Sequence, residues 1–341
     1  MKLIDYKSPE IPKEIEELIN RDKKVMFGAH THTREIPLGV AYARGCKVYD
    51  LTGKEYLDLC AGWASCSTGH CHPDVVSCIK DQVEKLIHIG GSDFYYYPQV
   101  ELAEKLVSIA PGDFPKRVYL ANSGAETLEA SLKVTKYYTK RHKVISFFGA
   151  FHGRTFAGMT LSGSKKVQRA GFGPLIPEVI HTLYPYCYRC PLDKKYPDCR
   201  DEKDTRFGVP MLPCVKFLVD MIFERLCDPY EVAAIVFEPI QGEGGYIEPP
   251  PEFPKLLRRI ANEYGILLVA DEIQCGLGRT GKWWALDHVG VAPDVLCTAK
   301  GIASGLPMGA VVAREEIMDK EVDPRAWGAV SYTHLTLPTK A

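Results

Sequence analysis

Three side chains that could act together in catalysis, Ser123, Asp271 and Lys300, each lie just beyond a short apolar run. Short continuous apolar runs are typical of strands that are buried on both faces of a parallel sheet. Open sheets of this kind bind ligands at the carboxyl ends of their strands. We therefore expect the hydroxyl, the carboxylate and the amine at one edge of a sheet.

The segment around Ser123 reads as a strand, a turn of small residues and a helix start. Such a turn directs backbone N–H groups and the positive end of the helix dipole at one point, where Ser123 adds a hydroxyl. This arrangement predicts a phosphate site that includes Gly124 and Ala125. Ser123 followed by Glu126 is also a capping pattern, so a capped helix without a ligand is the alternative.

Asp271 and Glu272 follow a predicted buried strand that ends at residue 270. A carboxylate at this place could keep a heteroaromatic nitrogen protonated or bind a metal ion. The alternative is that Asp271 only caps the next turn.

Lys300 follows another apolar run and precedes Gly301. A lysine in a partly dry cleft loses some ammonium character, and its neutral amine then attacks a carbonyl carbon to begin a Schiff base. The alternative is a solvated surface lysine. Taken together, a phosphate cradle, an acid and an amine match what pyridoxal phosphate requires of a protein.

The elements that must position these groups alternate from about residue 70 onward, which predicts an α/β fold with a mostly parallel sheet. Predicted helices cover 74–88, 99–110, 126–140 and 253–264. Predicted strands cover 117–120, 144–148, 233–237, 266–270 and 295–298.

Two regions depart from this alternation. Residues 1–65 predict a separate small subdomain, with a helix near 13–21 and a hairpin of 40–43 and 47–51 that turns at Leu51-Thr52-Gly53-Lys54. Residues 184–213 are rich in proline, cysteine and charge, and they predict an inserted surface loop.

Charge and composition exclude several classes of protein. The 341 residues carry 42 basic and 43 acidic side chains, a net charge of -1, which gives no uniform field for nucleic acid or an anionic membrane. No apolar run is long enough to span a bilayer, and the charged N-terminus does not resemble a signal peptide. We therefore expect a cytoplasmic protein with reduced cysteines.

Four of the twelve cysteines fall in or beside the predicted loop, namely Cys187, Cys190, Cys199 and Cys214. A single CxxC with two isolated cysteines permits a structural zinc site, but a second close pair is missing. We predict a reduced loop and no metal.

Several ordered motifs between residues 38 and 328 resemble the class III aminotransferases of the fold-type-I pyridoxal-phosphate family, which includes 4-aminobutyrate, ornithine and acetylornithine aminotransferases. The motifs are Gly69-His70-Cys71-His72-Pro73, Asn122-Ser123-Gly124-Ala125-Glu126, Phe151-His152-Gly153-Arg154-Thr155, Glu238-Pro239-Ile240-Gln241-Gly242-Glu243-Gly244-Gly245, Asp271-Glu272-Ile273-Gln274, Gly278-Arg279-Thr280-Gly281 and Thr298-Ala299-Lys300-Gly301. The resemblance implies a three-layer sandwich with a mostly parallel central sheet and an incomplete small α+β domain.

The resemblance also implies a role for each cofactor contact. Lys300 would carry the cofactor as a Schiff base and would then move a proton between the substrate carbon and the cofactor. Asp271 would pair with the protonated pyridine nitrogen, and Gln274 would bond the phenolic oxygen. Phe151 would stack on the ring, while His152 would either touch the hydroxyl side of the ring or be structural.

The same resemblance implies that Ser123, Gly124 and Ala125 hold the phosphate. Glu243 would pair with a downstream arginine for one substrate and release it for the carboxylate of the other, or would make an ordinary ion pair on a glycine-rich turn. Trp63 would narrow the substrate pocket or stack on a substrate, and a place in the core is the alternative.

The function implied is transfer of an amino group from an ω-amino acid, such as 4-aminobutyrate or ornithine, to a 2-oxo acid such as 2-oxoglutarate, in a homodimer with sites at the interface. The first alternative is an amino-acid racemase on the same scaffold, and the second is a non-catalytic cofactor-binding or assembly partner.

The expected domain organisation is 1–65 for the N-terminal part of the small domain, 66–328 for the cofactor-binding large domain and 329–341 for a foreign tail. The family chain continues further and carries a substrate-binding arginine and a threonine for the partner's phosphate. We therefore expect a truncated chain with an open active site.

Overall fold

A computed structural model of the chain describes residues 11–26, 36–91 and 93–326, so the predicted tail at 329–341 lies outside the described residues. The strands are β1 (Val40–Arg44), β2 (Lys47–Asp50), β3 (Glu55–Leu57), β4 (Lys116–Ala121), β5 (Lys143–Phe147), β6 (Val179–Thr182), β7 (Val232–Phe237), β8 (Leu267–Asp271), β9 (Val295–Ala299) and β10 (Gly309–Arg314).

Helices connect these strands. The α-helices are α1 (Lys13–Val25), α2 (Pro73–Lys85), α3 (Tyr97–Ile109), α4 (Gly124–Thr139), α5 (Phe156–Leu161), α6 (Pro213–Phe217), α7 (Glu252–Tyr264) and α8 (Glu315–Met318), with a π-helical continuation of α6 at Leu218–Phe223. Short 3₁₀ turns occur at Lys166–Gln168, Cys187–Arg189, Pro229–Glu231, Ala285–His288 and Lys300–Ala303. The short segment Ala61–Ala64 has positive φ at all four residues.

Seven strands form the central sheet in the order β4-β10-β9-β8-β7-β5-β6. The β9-β8-β7-β5-β6 pairs are parallel, and β10 alone runs antiparallel to its neighbours β4 and β9. The predicted α/β fold with a mostly parallel sheet is therefore confirmed. Strands β3, β6 and β10 lie outside the predicted strands.

The alternation of side chains along β7 builds a core on each face of the sheet. Ile235 and Phe237 pack on one side with residues of α7, whereas Ala234 and Val236 pack on the other side with residues of α4. All six residues of β7 are buried, as the continuous apolar run predicts. Helices on both faces make the expected three layers.

The N-terminal strands form their own antiparallel sheet in the order β1-β2-β3. The predicted turn at residues 51–54 joins β2 to β3, whereas a turn at Gly45 joins β1 to β2.

The predicted surface loop at 184–213 is only partly a surface loop. Tyr184 at its start and Met211 and Leu212 near its end are buried in the same core as α7, because these large apolar side chains pack under the sheet. Within the described residues, no helix is both long and apolar enough to cross a lipid bilayer.

Candidate active site

A cavity of about 460 Å³ lies at the carboxyl ends of the central strands. All eight predicted cofactor contacts line its wall, together with Glu243; the eight are Ser123, Gly124, Ala125, Phe151, His152, Asp271, Gln274 and Lys300. Trp63 is not in this wall, and 63% of its surface is exposed because it belongs to the left-handed turn at Ala61–Ala64. The alternative core position of Trp63 is therefore wrong.

The turn between β4 and α4 has the geometry of a capped helix. Ser123 Oγ accepts a hydrogen bond from the backbone N–H of Glu126 at 3.2 Å, and the Glu126 carboxylate accepts one from the N–H of Asn122 at 2.7 Å. The N–H groups of Gly124 and Ala125 belong to the first helical turn, which has no preceding carbonyl to receive them. Capping and anion binding are therefore compatible at this turn.

The side chain of Ile273, in the turn that follows β8, closely approaches Gly124. A Cβ atom at Gly124 would lie 2.9 Å from Cδ1 of Ile273, another residue of the cavity wall. The absence of a side chain leaves the cradle open toward the cavity.

Asp271 and His152 form a buried pair in the cavity wall. Asp271 Oδ2 lies 2.7 Å from His152 Nδ1, and Oδ1 accepts the N–H of Ile273 at 3.1 Å. Burial lowers the pKa of His152, but the hydrogen bond and charge of Asp271 outweigh burial, so the net pKa is raised. His152 thus orients Asp271, a role that the sequence analysis did not assign to it.

Glu272 points away from the cavity, although it is the next residue. Successive side chains of a strand alternate between faces, and Glu272 accepts the backbone N–H groups of Ala285 and Leu286, each at 3.0 Å. Burial raises the pKa of Glu272 to about 7. Only Asp271 of this acidic pair is therefore available to a ligand in the cavity.

Lys300 begins directly after β9 and has a backbone φ of 49°, which is unusual for a residue with a side chain. Its Nζ donates a hydrogen bond to Oε1 of Gln274. Burial lowers the pKa of Lys300, although Asp271, Glu238 and Glu243 oppose this shift. The amine is thus held in the partly dry cleft that the sequence predicts.

Arg154 is a cavity residue that the sequence analysis did not single out. Its guanidinium lies 5.2 Å from the centroid of the Phe151 ring, and it makes no ion pair within the described part of the chain. The sequence does indicate this position, because Arg154 is only three residues from Phe151, which was predicted to stack on the cofactor ring. Arg154 supplies a positive charge for an anionic ligand.

Glu243 makes an ion pair with Lys165, with Oε2 and Nζ 3.1 Å apart. This is the ordinary ion pair considered as the alternative to a switch. Lys165 is more than half exposed, so the pair is weak and easily exchanged.

All twelve cysteines are free thiols. Burial raises the pKa of Cys187 to about 11, with further contributions from the thiols of Cys199 and Cys190. Among the described residues, no three histidine, cysteine, aspartate or glutamate side chains are arranged to hold a metal ion.

The donor set of the cavity fits pyridoxal phosphate. The N–H groups at the start of α4 suit its phosphate, the buried Asp271 suits its ring nitrogen, and the Lys300 amine suits its aldehyde.

Comparison with known proteins agrees with this geometry. Residues 28–328 match the sequence model of the family described as aminotransferase class-III. The chain is 37% identical over 302 residues to a probable 4-aminobutyrate aminotransferase of Bacillus subtilis (strain 168), which covers 88% of this chain and 65% of the relative. It is 38% identical over 282 residues to an isoleucine 2-epimerase of Lentilactobacillus buchneri, which covers 82% of this chain and 60% of the relative.

A similar solved structure is the taurine:2-oxoglutarate aminotransferase from Bifidobacterium kashiwanohense in complex with PLP and glutamate. Its TM-score is 0.79 at 28% sequence identity, and the match covers 92% of this chain and 68% of that chain. The chain spans 65% and 60% of the lengths of the two curated relatives, which is less than two thirds of each.

Proposed function

Because this chain belongs to the class-III aminotransferase family, we propose that its cavity binds pyridoxal phosphate and that the whole protein transfers an amino group from an amino acid to a 2-oxo acid. One observation carries the proposal. The Lys300 amine, the buried Asp271–His152 pair and the start of α4 line the same cavity.

The cofactor, when bound, supplies an electron sink that stabilises negative charge on the substrate carbon. The backbone N–H groups of Gly124 and Ala125, with the Ser123 hydroxyl, hold its phosphate. Asp271 keeps a proton on the ring nitrogen, and His152 holds Asp271 in the required orientation. Phe151 covers one face of the ring.

Lys300 moves the proton of the reaction at its Nζ atom. Burial lowers the pKa of Lys300, which raises the fraction of neutral amine near neutral pH, the form that can accept a proton. The hydrogen bond to Gln274 aims Nζ into the cavity. In transamination the same amine would accept the proton from the substrate carbon and would then donate it to the cofactor.

For the amino donor we propose an ω-amino acid such as 4-aminobutyrate or ornithine, and for the acceptor 2-oxoglutarate. The Arg154 guanidinium has no ion-pair partner among the described residues, which supports a carboxylate-bearing substrate. Glu243 can leave Lys165 to contact an amine or to make room for a second carboxylate, because that ion pair is weak.

Amino-acid racemization is the second candidate, and the similarity to an isoleucine 2-epimerase favours it. Lys300 and Asp271 would serve both reactions. Incubation of an L-amino acid without any 2-oxo acid separates them, because a racemase forms the D-isomer catalytically whereas a transaminase stops after one amino group per site.

We also propose a homodimer of a cytoplasmic protein, divided into a small domain that includes residues 1–65 and a cofactor-binding domain at 66–328. Several large apolar side chains are exposed, including Tyr95 and Tyr97, which supports a covering subunit. The free thiols support a reducing compartment.

The test is covalent labelling. The purified chain is mixed with pyridoxal phosphate, reduced with borohydride and mapped by mass spectrometry. We expect a visible absorption band that reduction abolishes, with the label on Lys300. Lys300→Ala removes the label, whereas Lys282→Ala, a change at an exposed lysine outside the cavity, keeps it. A label spread over surface lysines contradicts the proposal.

A further inference from the structure

Glu238 is a buried acid at the carboxyl end of β7 and lines the same cavity. Both of its carboxylate oxygens accept backbone hydrogen bonds. Oε1 accepts the N–H of Phe151 at 2.8 Å, and Oε2 accepts the N–H of Gly242 at 2.9 Å. One side chain therefore joins the loop that carries the Phe151 ring to the turn that carries Glu243.

We propose that Glu238 is a positioning residue that fixes the Phe151 ring and the Glu243 turn relative to each other across the cavity. The inference rests on the proposed function, because it assigns Glu238 to the same cofactor site. It acts through the backbone of the two loops.

The backbone of Glu238 is itself held by the core. The buried Tyr184 hydroxyl lies 3.1 Å from the carbonyl oxygen of Glu238 and 3.2 Å from that of Pro239. The carboxylate therefore reaches both loops from a fixed base. Movement of Phe151 or Gly242 away from Glu238 would stretch its hydrogen bond to the Glu238 carboxylate, because the backbone of Glu238 is held in place.

The two loops also contact each other so closely that a shift in one moves the other. The Gln241 side-chain amide donates to the carbonyl oxygen of Phe148 at 2.9 Å. A Cβ atom at Gly149 would lie 2.4 Å from Oε1 of Gln241, and one at Gly244 would lie 2.7 Å from the carbonyl oxygen of Gly149. Glu238 and Gln241 thus hold one interface from two sides.

Burial of the ionised Glu238 side chain costs free energy, which a residue with a purely structural role could avoid. Burial, with the charge of Asp271, raises the pKa of Glu238 to about 7, whereas His152 opposes this shift. Glutamine would avoid that cost, but it has a single acceptor oxygen and could satisfy only one of the two N–H groups. A carboxylate is what the double contact requires.

The matched pair of variants is Glu238→Gln and Glu272→Gln. Glu272 is equally buried and also accepts two backbone N–H groups, but it lies outside the cavity wall. We expect Glu238→Gln to weaken the binding of pyridoxal phosphate about tenfold and to change the visible circular dichroism of the bound cofactor. We expect Glu272→Gln to leave both unchanged.

A double-mutant cycle with Phe151→Leu tests whether Glu238 acts through Phe151. If it does, the loss of affinity in the double variant is smaller than the product of the two single losses. Independent losses, or an unchanged affinity in Glu238→Gln, overturn the inference. If Glu238→Gln does not fold, Glu238→Asp replaces it, because it keeps the charge but is too short to reach both loops; an unchanged affinity there also overturns it.

Hydrogen exchange separates this inference from the proposed function. In the cofactor-free chain, the amides of Phe151 and Gly242 should exchange faster in Glu238→Gln than in Glu272→Gln. A wild-type chain that binds no cofactor overturns the proposed function alone, and the exchange rates then decide whether Glu238 joins the two loops. Equal exchange in the two variants overturns the inference.

Discussion

At the residue scale, the adjacent acids Asp271 and Glu272 make different contacts because their side chains point to opposite faces of the sheet. Asp271 meets His152 in the cavity wall, whereas Glu272 holds the turn at Ala285–His288 from below. The Asp-Glu sequence alone does not reveal which acid faces the ligand. The strand register determines it, and the register follows from the packing of the whole sheet.

The raised pKa of Glu272 predicts how stability depends on pH. Burial raises the pKa of this carboxyl from 4.5 to about 7, so the folded chain binds the proton more tightly than the unfolded chain. This contribution is complete below pH 4.5 and is lost as the pH rises through 7. We expect Glu272→Gln to reduce the fall in unfolding free energy across that window by about 3 kcal/mol.

Urea unfolding at several pH values measures this effect. Glu263→Gln, a change at an exposed glutamate of α7, is the control and should leave the pH dependence as in the wild type. An unaltered slope in Glu272→Gln would show that the buried carboxyl does not titrate in this window.

The sequence predicted the members of the site better than their partners. Residue types after strands, together with the family resemblance, brought Ser123, Asp271 and Lys300 to one cavity. The contacts of Glu238 were missed because its partner Phe151 is 87 residues away, and no local pattern reports such a distance. In addition, almost every residue has a backbone N–H group, so the residue types of Phe151 and Gly242 do not indicate that they donate hydrogen bonds to Glu238.

At the element scale, β10 decides the geometry of the site. Its first residue, Gly309, pairs with Ala121 at the end of β4 and with Ala299 at the end of β9. The turn before α4 and Lys300 therefore lie on opposite sides of Gly309. No strand was predicted at Gly309–Arg314, and the insertion of β10 between β4 and β9 could not be predicted either, because a local pattern does not specify the neighbouring strand.

Gly309→Ala should disturb both sides of this junction. A Cβ atom there would lie 2.7 Å from the carbonyl oxygen of Ser123 and 2.7 Å from Cγ2 of Thr127. We expect a loss of about 1 to 3 kcal/mol of unfolding free energy and weaker binding of pyridoxal phosphate. Denaturant titration and cofactor titration measure the two effects.

The control for this variant is Gly173→Ala, because Gly173 is exposed and a Cβ atom there has open space. It should behave as the wild type in both titrations. If Gly309→Ala has the stability and cofactor affinity of the wild type, the close contacts at Gly309 do not matter for the site and the prediction is wrong.

At the scale of the whole molecule, several large apolar side chains are exposed. Ile87, Tyr95 and Tyr97 are close in sequence and are 85%, 98% and 83% exposed. Large aromatic side chains of this exposure are typical of surfaces that another subunit covers. This observation supports the proposed homodimer.

The double variant Tyr95→Glu/Tyr97→Glu should be monomeric, because buried carboxylates would oppose association. Analytical ultracentrifugation over a range of concentrations measures the change. Tyr188→Glu, a change at a tyrosine that is 86% exposed in the predicted loop, should leave the dimer intact. A wild-type chain that stays monomeric at every concentration contradicts the proposal.

The antiparallel insertion of β10 also orders events during synthesis. A ribosome that has made β4 at Lys116–Ala121 must still add almost two hundred residues before β10 at Gly309–Arg314 exists. At typical rates of translation this takes about 10 to 40 s. Throughout that interval β4 lacks β10, the strand with which it pairs in the sheet. Capture of the cofactor is thus a late step of biogenesis, after the parallel part of the sheet has been made.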